Sequence, residues 1–404
     1  MSNPKLALIP SGYKQSPPTV YSILPNNADG DFTYERNGSA TRVRKDGLIE
    51  ELTVDDTPRL DWLNSNCPSL LLEGQRTNLQ AYSENFSGLA WTPSFVTITA
   101  NSSISPNGEL TATKLETTSQ VGSLTGAIPS AVVNTLYYYS LFVKADATNI
   151  ARIELRDVQS GQPNLTIGFV EFNMATETIS GNNASFDKLD GGWYRLKFSA
   201  TTPSSIGSII SIISLTEVGS IFIWGAQMEA GGYATSYIKN VDDANGVTRL
   251  KDQCLNGGDA DLFDITEGTF FVDAVNFGTP LNDYSMITLS DGSNVGNFVR
   301  FIYESSRIRT SVFNGTTQQD YFITGTSDNQ RNKVAITFKE NEFKTYLNGV
   351  LKDTDTSGVV PTGFDRVNFS NPDGTSRNFE GKVYDTRVYD RVLTEAEAIQ
   401  LTTI

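Results

Sequence analysis

The chain has 404 residues, enough for two or three domains with separate cores. Its formal charge of −15, from 31 basic and 46 acidic residues, repels a phosphate backbone and an anionic bilayer, so neither nucleic acid nor a membrane is an expected partner. It holds no histidine, which excludes Ser-His-Asp and Cys-His nucleophiles, histidine bases and histidine metal sites, and leaves only carboxylate-pair, Lys or Tyr chemistry.

The N-terminal sequence MSNPKLALIPSGYKQS has no basic stretch followed by a long apolar core, so no secretory signal is predicted, and no run reaches membrane-spanning length. Residues 1–66 are short apolar pieces, such as the strand-like run Thr19 to Leu24. They are broken by Pro17-Pro18, Pro25-Asn26-Asn27, Asp29-Gly30, Asn37-Gly38 and Asp46-Gly47. So many breaks leave little to bury, and this region is expected to depend on a neighbour. Residues 67–85 run from the apolar Leu70-Leu71-Leu72 into polar residues with neither helical nor strand spacing. They read as an irregular crossing, with Arg76 and Asn78 holding its backbone.

Over residues 86–240 alternation dominates. Ile153 and Leu155 point one way and Arg152, Glu154 and Arg156 the other; Tyr194, Leu196 and Phe198 oppose Arg195 and Lys197. The runs Thr135 to Val143 and Ser220 to Trp224 are apolar on both faces, as central strands are. Short strands separated by Ser105-Pro106-Asn107-Gly108, Gly181-Asn182-Asn183 and Asp190-Gly191-Gly192 predict a jelly-roll sandwich. The pattern lapses at Val241 to Gly246 and returns over residues 241–404. There Val334, Ile336 and Phe338 alternate with polar neighbours, and Asn314-Gly315 and Asn348-Gly349 are hairpin signals because both residue types tolerate positive φ. Thr394 with Glu397 three residues on is a capping box, and predicts the one C-terminal helix.

The fold class is therefore all-β: an N-terminal region followed by two antiparallel β-sandwich (jelly-roll) domains, with residues 241–404 a complete set of strands able to fold alone. Trp91, Trp193 and Trp224 are obvious sugar platforms, but each reads as core, Trp91 plugging an end of the first sandwich and Trp224 ending a strand. Tyr137-Tyr138-Tyr139 must show at least one ring to the opposite face. Asp259, Asp261, Asp283, Asp291, Asp353 and Asp355 fall in loops without EF-hand spacing, so they read as solvated, structural calcium being the alternative; no other cofactor is expected. Cys67 and Cys254 make neither a disulfide framework nor a zinc site and read as two buried thiols. No Asp/Glu pair stands out as acid and nucleophile. No catalytic or metal residue is assigned, the ligand-binding residues stay unknown, and no enzyme is predicted.

Several ordered motifs resemble the N-terminal region of tailed-phage virion proteins that carry carbohydrate-binding-like modules. These are Phe32-Thr33-Tyr34-Glu35-Arg36, Ala40-Thr41-Arg42-Val43, Asp46-Gly47-Leu48-Ile49-Glu50 and Pro58-Arg59-Leu60-Asp61, then Leu70-Leu71-Leu72-Glu73, Gln75-Arg76-Thr77-Asn78, Tyr82 to Phe86 and Ala90-Trp91. Trp224-Gly225-Ala226-Gln227-Met228-Glu229 with Gly232 to Ile238 resembles the closing strand of the same module. Separately, Lys333 to Phe338, Tyr346-Leu347-Asn348-Gly349, Gly381 to Asp385, Arg387 to Arg391 and Leu393-Thr394 resemble the concanavalin A-like/laminin G lectin fold. A histidine common in that family before Val334 is here replaced near Asn332, a position that supports the fold.

The resemblance implies four parts: a virion-attachment region (1–66), the crossing (67–85), a carbohydrate-binding-like jelly roll (86–240) and a concanavalin A-like/laminin G-like sandwich (241–404). It implies a structural protein on the virion surface, a head or tail fibre or adhesin made in the cytoplasm of an infected bacterium. The N-terminal region would hold other virion proteins, the sandwiches would bind host-surface glycans, and by analogy with fibres the chain would be a homotrimer. The alternatives are a purely structural decoration or baseplate component without sugar binding, and a polysaccharide depolymerase. The loops that carry ligand residues in such folds vary, so none is carried over.

Overall fold

The computed structural model describes residues 3–10, 14–15, 18–19, 32–117, 121–161, 163–278, 284–304, 306–326 and 328–404. Pro17, the strand-like run at 20–24, the turns Pro25-Asn26-Asn27 and Asp29-Gly30, and Asp283 lie outside them. The protein is all-β, built as two antiparallel sandwiches. In the first, one six-stranded sheet orders Trp91–Ser94, Gly122–Ile128, Ser208–Leu215, Ile150–Val158, Leu165–Asn173 and Thr178–Gly181. The other orders Thr97–Ser103, Ala112–Thr117, Gly219–Ala230, Leu136–Ala145, Trp193–Thr201 and Ser185–Lys188.

Strand alternation decides what lies between these sheets. Ile153, Leu155, Leu196, Phe198, Tyr139, Leu141 and Val143 pack in one core, while Arg152, Glu154 and Arg156 form an ion-paired ladder on the outside. Phe86 and Trp91 belong to this core, their ring centroids 5.0 Å apart, with the Trp91 indole N–H donating to the Tyr82 carbonyl at 3.1 Å. Trp224 does not end its strand: Gly219–Ala230 runs on through Gly225, whose φ of 62° accommodates a register shift against Leu136–Ala145.

The second sandwich differs from the expected division of the chain, because both ends of the sequence build it. Its larger sheet orders Val350–Asp355, Glu342–Leu347, Arg331–Lys339, Gly268–Asn276, Gly381–Tyr389, Ser69–Leu72 and Arg59–Asp61, with Leu6–Leu8 also paired to Gly381–Tyr389. Facing it is a five-stranded sheet of Thr317–Thr324, Arg307–Asn314, Asn297–Glu304, Ser285–Ser290 and Arg366–Asn368. Leu6, Leu8, Phe32, Tyr34, Leu70 and Leu72 are buried in the same core as Phe270, Val299, Ile336 and Val388. The N-terminal stretch is therefore no separate body, and residues 241–404 are not a complete set of strands. Of its short apolar pieces, Leu6–Leu8 and Arg59–Asp61 join a sheet whose other strands come mostly from the end of the chain, Thr33–Glu35 pairs with Gln253–Leu255, and Ala40–Val43 and Ile49–Leu52 pair with each other.

Local signals in this sandwich hold. Asn348 and Gly349, at φ 50° and 79°, join Glu342–Leu347 to Val350–Asp355. Asn332 donates to the Gln330 carbonyl and accepts from the Asn348 amide at 3.0 Å, bracing that hairpin. The helix Glu395–Thr402 starts at a Thr394/Glu397 capping box and covers Phe271, Ala335 and Tyr346 on the outside of the larger sheet. No helix of the described residues is long and apolar enough to cross a membrane.

Part of the crossing is regular: Arg76–Asn78 is hydrogen-bonded antiparallel to Val247–Arg249, so the chain leaves for the first sandwich and returns along one track, while residues 73–75 and 79–85 are irregular. Asn78 donates to the Ala226 and Ile238 carbonyls and accepts from the Gln80 and Met228 amides, holding its strand of that track to the sandwich. Around it lies a buried charge cluster. Asp252 accepts from the Tyr34 hydroxyl at 2.5 Å, from Arg36 at 3.3 Å, from the Glu73 amide at 2.8 Å and from Arg59. Glu73 accepts from Arg59 and the Ser236 hydroxyl at 2.7 Å each, and lies 3.4 Å from Arg249. The motifs around Tyr34, Arg59, Glu73 and Ser236 thus meet in one joint.

Burial by itself lifts the Glu73 carboxyl, but Arg249 and Arg59 overcome it and hold the group at about 2, against an ordinary 4.5. A folded value below the unfolded one contributes stability that is complete above pH 4.5 and drains as pH falls from 4.5 towards 2. At 1.36 kcal/mol per unit the contribution is on the order of 3 kcal/mol. Glu229 works the other way: burial raises its carboxyl against hydrogen bonds from Thr235, so acid favours its folded form and offsets part of the loss. Urea midpoints taken from pH 7 down to pH 3 are expected to fall below pH 4.5. Glu73→Gln is expected to be less stable at pH 7 and to show a flatter acid limb; an unchanged limb would contradict this account.

Candidate functional site

A cleft of about 580 Å³ opens where the first sandwich, the N-terminal segment and the larger sheet of the second sandwich meet. Alternation aims its walls. Tyr137, Tyr139, Leu141 and Val143 face the core of the first sandwich, so Tyr138, Ser140 and Phe142 face outward, and on the paired strand Arg195 and Lys197 do the same. Strand Ser185–Lys188 brings Asp187 beside them. From the opposite side come Asp61, Lys382 and Tyr384.

Two ion pairs line the cleft. Lys197 donates to Asp187 at 2.8 Å; Lys382 donates to Asp61 at 2.7 Å and to the Leu63 carbonyl at 3.1 Å. Burial works to raise the Asp187 carboxyl, yet Lys197, then Arg195 and Lys382, keep it below the usual range. Burial works to lower the Lys382 ammonium, and Asp61, Tyr384 and Asp187 raise it. The surroundings thus favour the charged forms of Asp187 and Lys382, and these two groups act on each other across the gap. Arg195 is spent on structure, donating to the Thr235 carbonyl at 2.7 Å and the Ser140 hydroxyl at 2.9 Å above the Phe142 ring. The half-buried ring of Tyr138, the Tyr384 ring with the Arg331 guanidinium 4.0 Å over one face, and the exposed amides of Asn183 and Asn329 complete the rim.

Trp91, Trp193 and Trp224 contribute no platform here, since all three are buried. Of the three tyrosines, Tyr138 is the ring shown to the opposite face, and that face is the cleft. Asp259 and Asp291 brace their own loops, whereas Asp353 and Asp355 lie not in loops but in the strand Val350–Asp355. Asp259 accepts from the Leu262 amide, Asp291 from the Ser293 and Asn297 amides, Asp353 from Gln319 and Asp355 from the Ser357 amide, while Asp261 is exposed. Among the described residues no three His, Cys, Asp or Glu side chains are grouped to hold a metal ion. Cys254 is buried, but Cys67 is exposed in the turn before Ser69–Leu72, so the two thiols are not alike. Asp61, Asp187, Lys382 and Tyr384 were not singled out from sequence. Alternation signalled Lys197, whereas the Asp61–Lys382 pair joins residues with no local relation.

Residues 269–399 match the family model described as the Concanavalin A-like lectin/glucanases superfamily. No curated protein matches the chain. Among solved structures, the chain is similar to the CBM40 of the Ruminococcus gnavus IT-sialidase bound to alpha2,3 sialyllactose, at 20% identity over 35% of this chain and 84% of that one, TM-score 0.30. It is also similar to the Botulinum Neurotoxin Type G receptor binding domain, at 14% identity over 39% and 41%, TM-score 0.29. A third is the CBM22-1-CBM22-2 tandem domain of Paenibacillus barcinonensis Xyn10C, at 9% identity over 78% and 98%, TM-score 0.26. At such scores none of them bears on what this chain binds.

Proposed function

We propose that this chain is a non-catalytic glycan-binding protein displayed on a tailed-phage virion as a fibre or adhesin, held there by its N-terminal region and acting as a homotrimer. The observation that carries the glycan reading is the cleft. Tyr138, and Tyr384 on the side away from Arg331, offer faces for the CH-rich side of a pyranose, and the two ion pairs offer both donors and acceptors for its hydroxyls. The lectin/glucanase family match over 269–399 supports the same class of ligand. Binding is favoured over hydrolysis because a glycosidase keeps one carboxyl protonated beside an ionised one, whereas Lys197 and Arg249 hold the cleft carboxyls Asp187 and Glu73 below their ordinary range. The virion setting rests on the ordered N-terminal motifs, and several copies on one particle turn weak contacts into avidity.

Glycan-array and whole-cell binding by the full chain tests this. Tyr138→Ala and Tyr384→Ala are expected to weaken binding at least tenfold with unchanged melting. Retention of no glycan favours the purely structural reading, and release of reducing sugar favours the depolymerase. Antibody against the chain should decorate phage particles in electron micrographs.

A further inference from the structure

The outer face of the five-stranded sheet carries a second feature, remote from the cleft. Val299, Phe301 and Tyr303 point into the core, so Phe298, Arg300 and Ile302 lie on the other face, where Phe298 and Ile302 are themselves covered and Arg300 is half-buried. Register places Thr288, Arg300, Ser311 and Asp320 in one row across four strands. Arg300 sits at the middle of that row, its guanidinium 4.2 Å from the Phe298 ring, which in turn stacks on Phe313 at 4.9 Å and 8°. On the other flank Arg307 and Arg309 lie over Phe322, at 4.4 and 4.9 Å.

The cations of this face are not alike. Arg309 is held by both oxygens of Asp320, at 2.5 and 2.6 Å, and Arg307 pairs with Glu304. Among the described residues Arg300 has no carboxylate partner, its buried Nε has no acceptor, and the buried hydroxyl of its cross-strand neighbour Thr288 is also unpartnered. Burial, with Arg309 and Arg377 adding to it against Tyr284 and Asp320, lowers the Arg300 guanidinium to about 10. In a chain of net charge −15, a guanidinium that has no carboxylate partner among the described residues and sits between aromatic faces is a place where an anion is favoured.

We propose that this face binds the carboxylate of an acidic saccharide, with Arg300 taking the carboxylate and Phe313 and Phe322 flanking the sugar ring. The saccharide part rests on the glycan-binding reading above; the anion part does not. Titration of the full chain with an oligogalacturonate, followed by amide and arginine NMR shifts, is the test, with the carboxyl-reduced oligosaccharide and sodium acetate as parallel arms. Arg300→Met is expected to weaken the acidic oligosaccharide at least tenfold and to leave the melting temperature equal or higher, since it removes an uncompensated charge. Tyr138→Ala is expected to change neither. Equal binding of the reduced sugar, unaltered binding by Arg300→Met, or no binding of the oligogalacturonate overturns the proposal. Acetate shifting the same residues as strongly as the oligosaccharide overturns its saccharide part. Loss of array binding in Tyr138→Ala alone would leave the cleft reading standing whatever Arg300 does.

Discussion

Residues 241–404 expressed alone are expected to give the circular dichroism of an unfolded chain. The piece contains every strand of the five-stranded sheet but lacks Leu6–Leu8, Arg59–Asp61 and Ser69–Leu72 from the larger one. Leu6, Leu8, Phe32, Tyr34, Leu70 and Leu72, all core residues, go with them. At about 1.5–3 kcal/mol for each buried side chain the loss is roughly 9–18 kcal/mol, as large as the whole stability of an ordinary domain. The strand Gly381–Tyr389 is also left with a bare apolar edge. Because Asn78 and Val247 are register partners, a chain that joins residue 78 to residue 247 through a short turn and omits the first sandwich is expected to restore a cooperative melt. A cooperative melt of 241–404 without that addition would refute the composite sandwich.

Asp252→Ala is expected to cost on the order of 3–5 kcal/mol, as when one partner of a buried ion pair is removed. The carboxylate receives Tyr34, Arg36, Arg59 and the Glu73 amide, all out of solvent, and its loss leaves Glu73 as the one carboxylate facing Arg59 and Arg249. Asp242→Ala, at an exposed position in the neighbouring loop, is the control and is expected to fall within about 0.5 kcal/mol of the parent. Urea unfolding of both variants at pH 7 decides it; a change below about 1 kcal/mol for Asp252→Ala would mean the cluster is tolerated rather than required.

What the sequence disclosed and what it withheld divide along a physical line. Alternation at Ile153 and Leu155, the Asn348-Gly349 hairpin and the Thr394/Glu397 box are local, each decided by residues within a few positions of one another, and each is found as expected. The pairing of Leu6–Leu8 with residues 386–388 has no local signature, since any short apolar strand could fill that edge. Polarity misled at 73–78. Glu73 and Asn78 are as hydrophilic as loop residues, yet they are buried because their partners arrive from residues 226–252. The cleft followed the same division: Tyr138 and Lys197 were aimed by period, while Asp61 and Lys382 met only through the fold.

The paired ribbon at Arg76–Asn78 and Val247–Arg249 also sets an order of events during synthesis. The first sandwich is contiguous in sequence and needs nothing beyond about residue 240 to close its core. The second waits for Gly381–Tyr389, the strand to which both Leu6–Leu8 and Ser69–Leu72 must attach. Until then the early strands are held without a sheet. Once the inserted sandwich has condensed, its two exits lie side by side, and the loop separating residue 72 from residue 381 shrinks to the span outside it. Refolding should therefore be sequential, with the early-emerging module acting as a clamp that shortens the search for the late one.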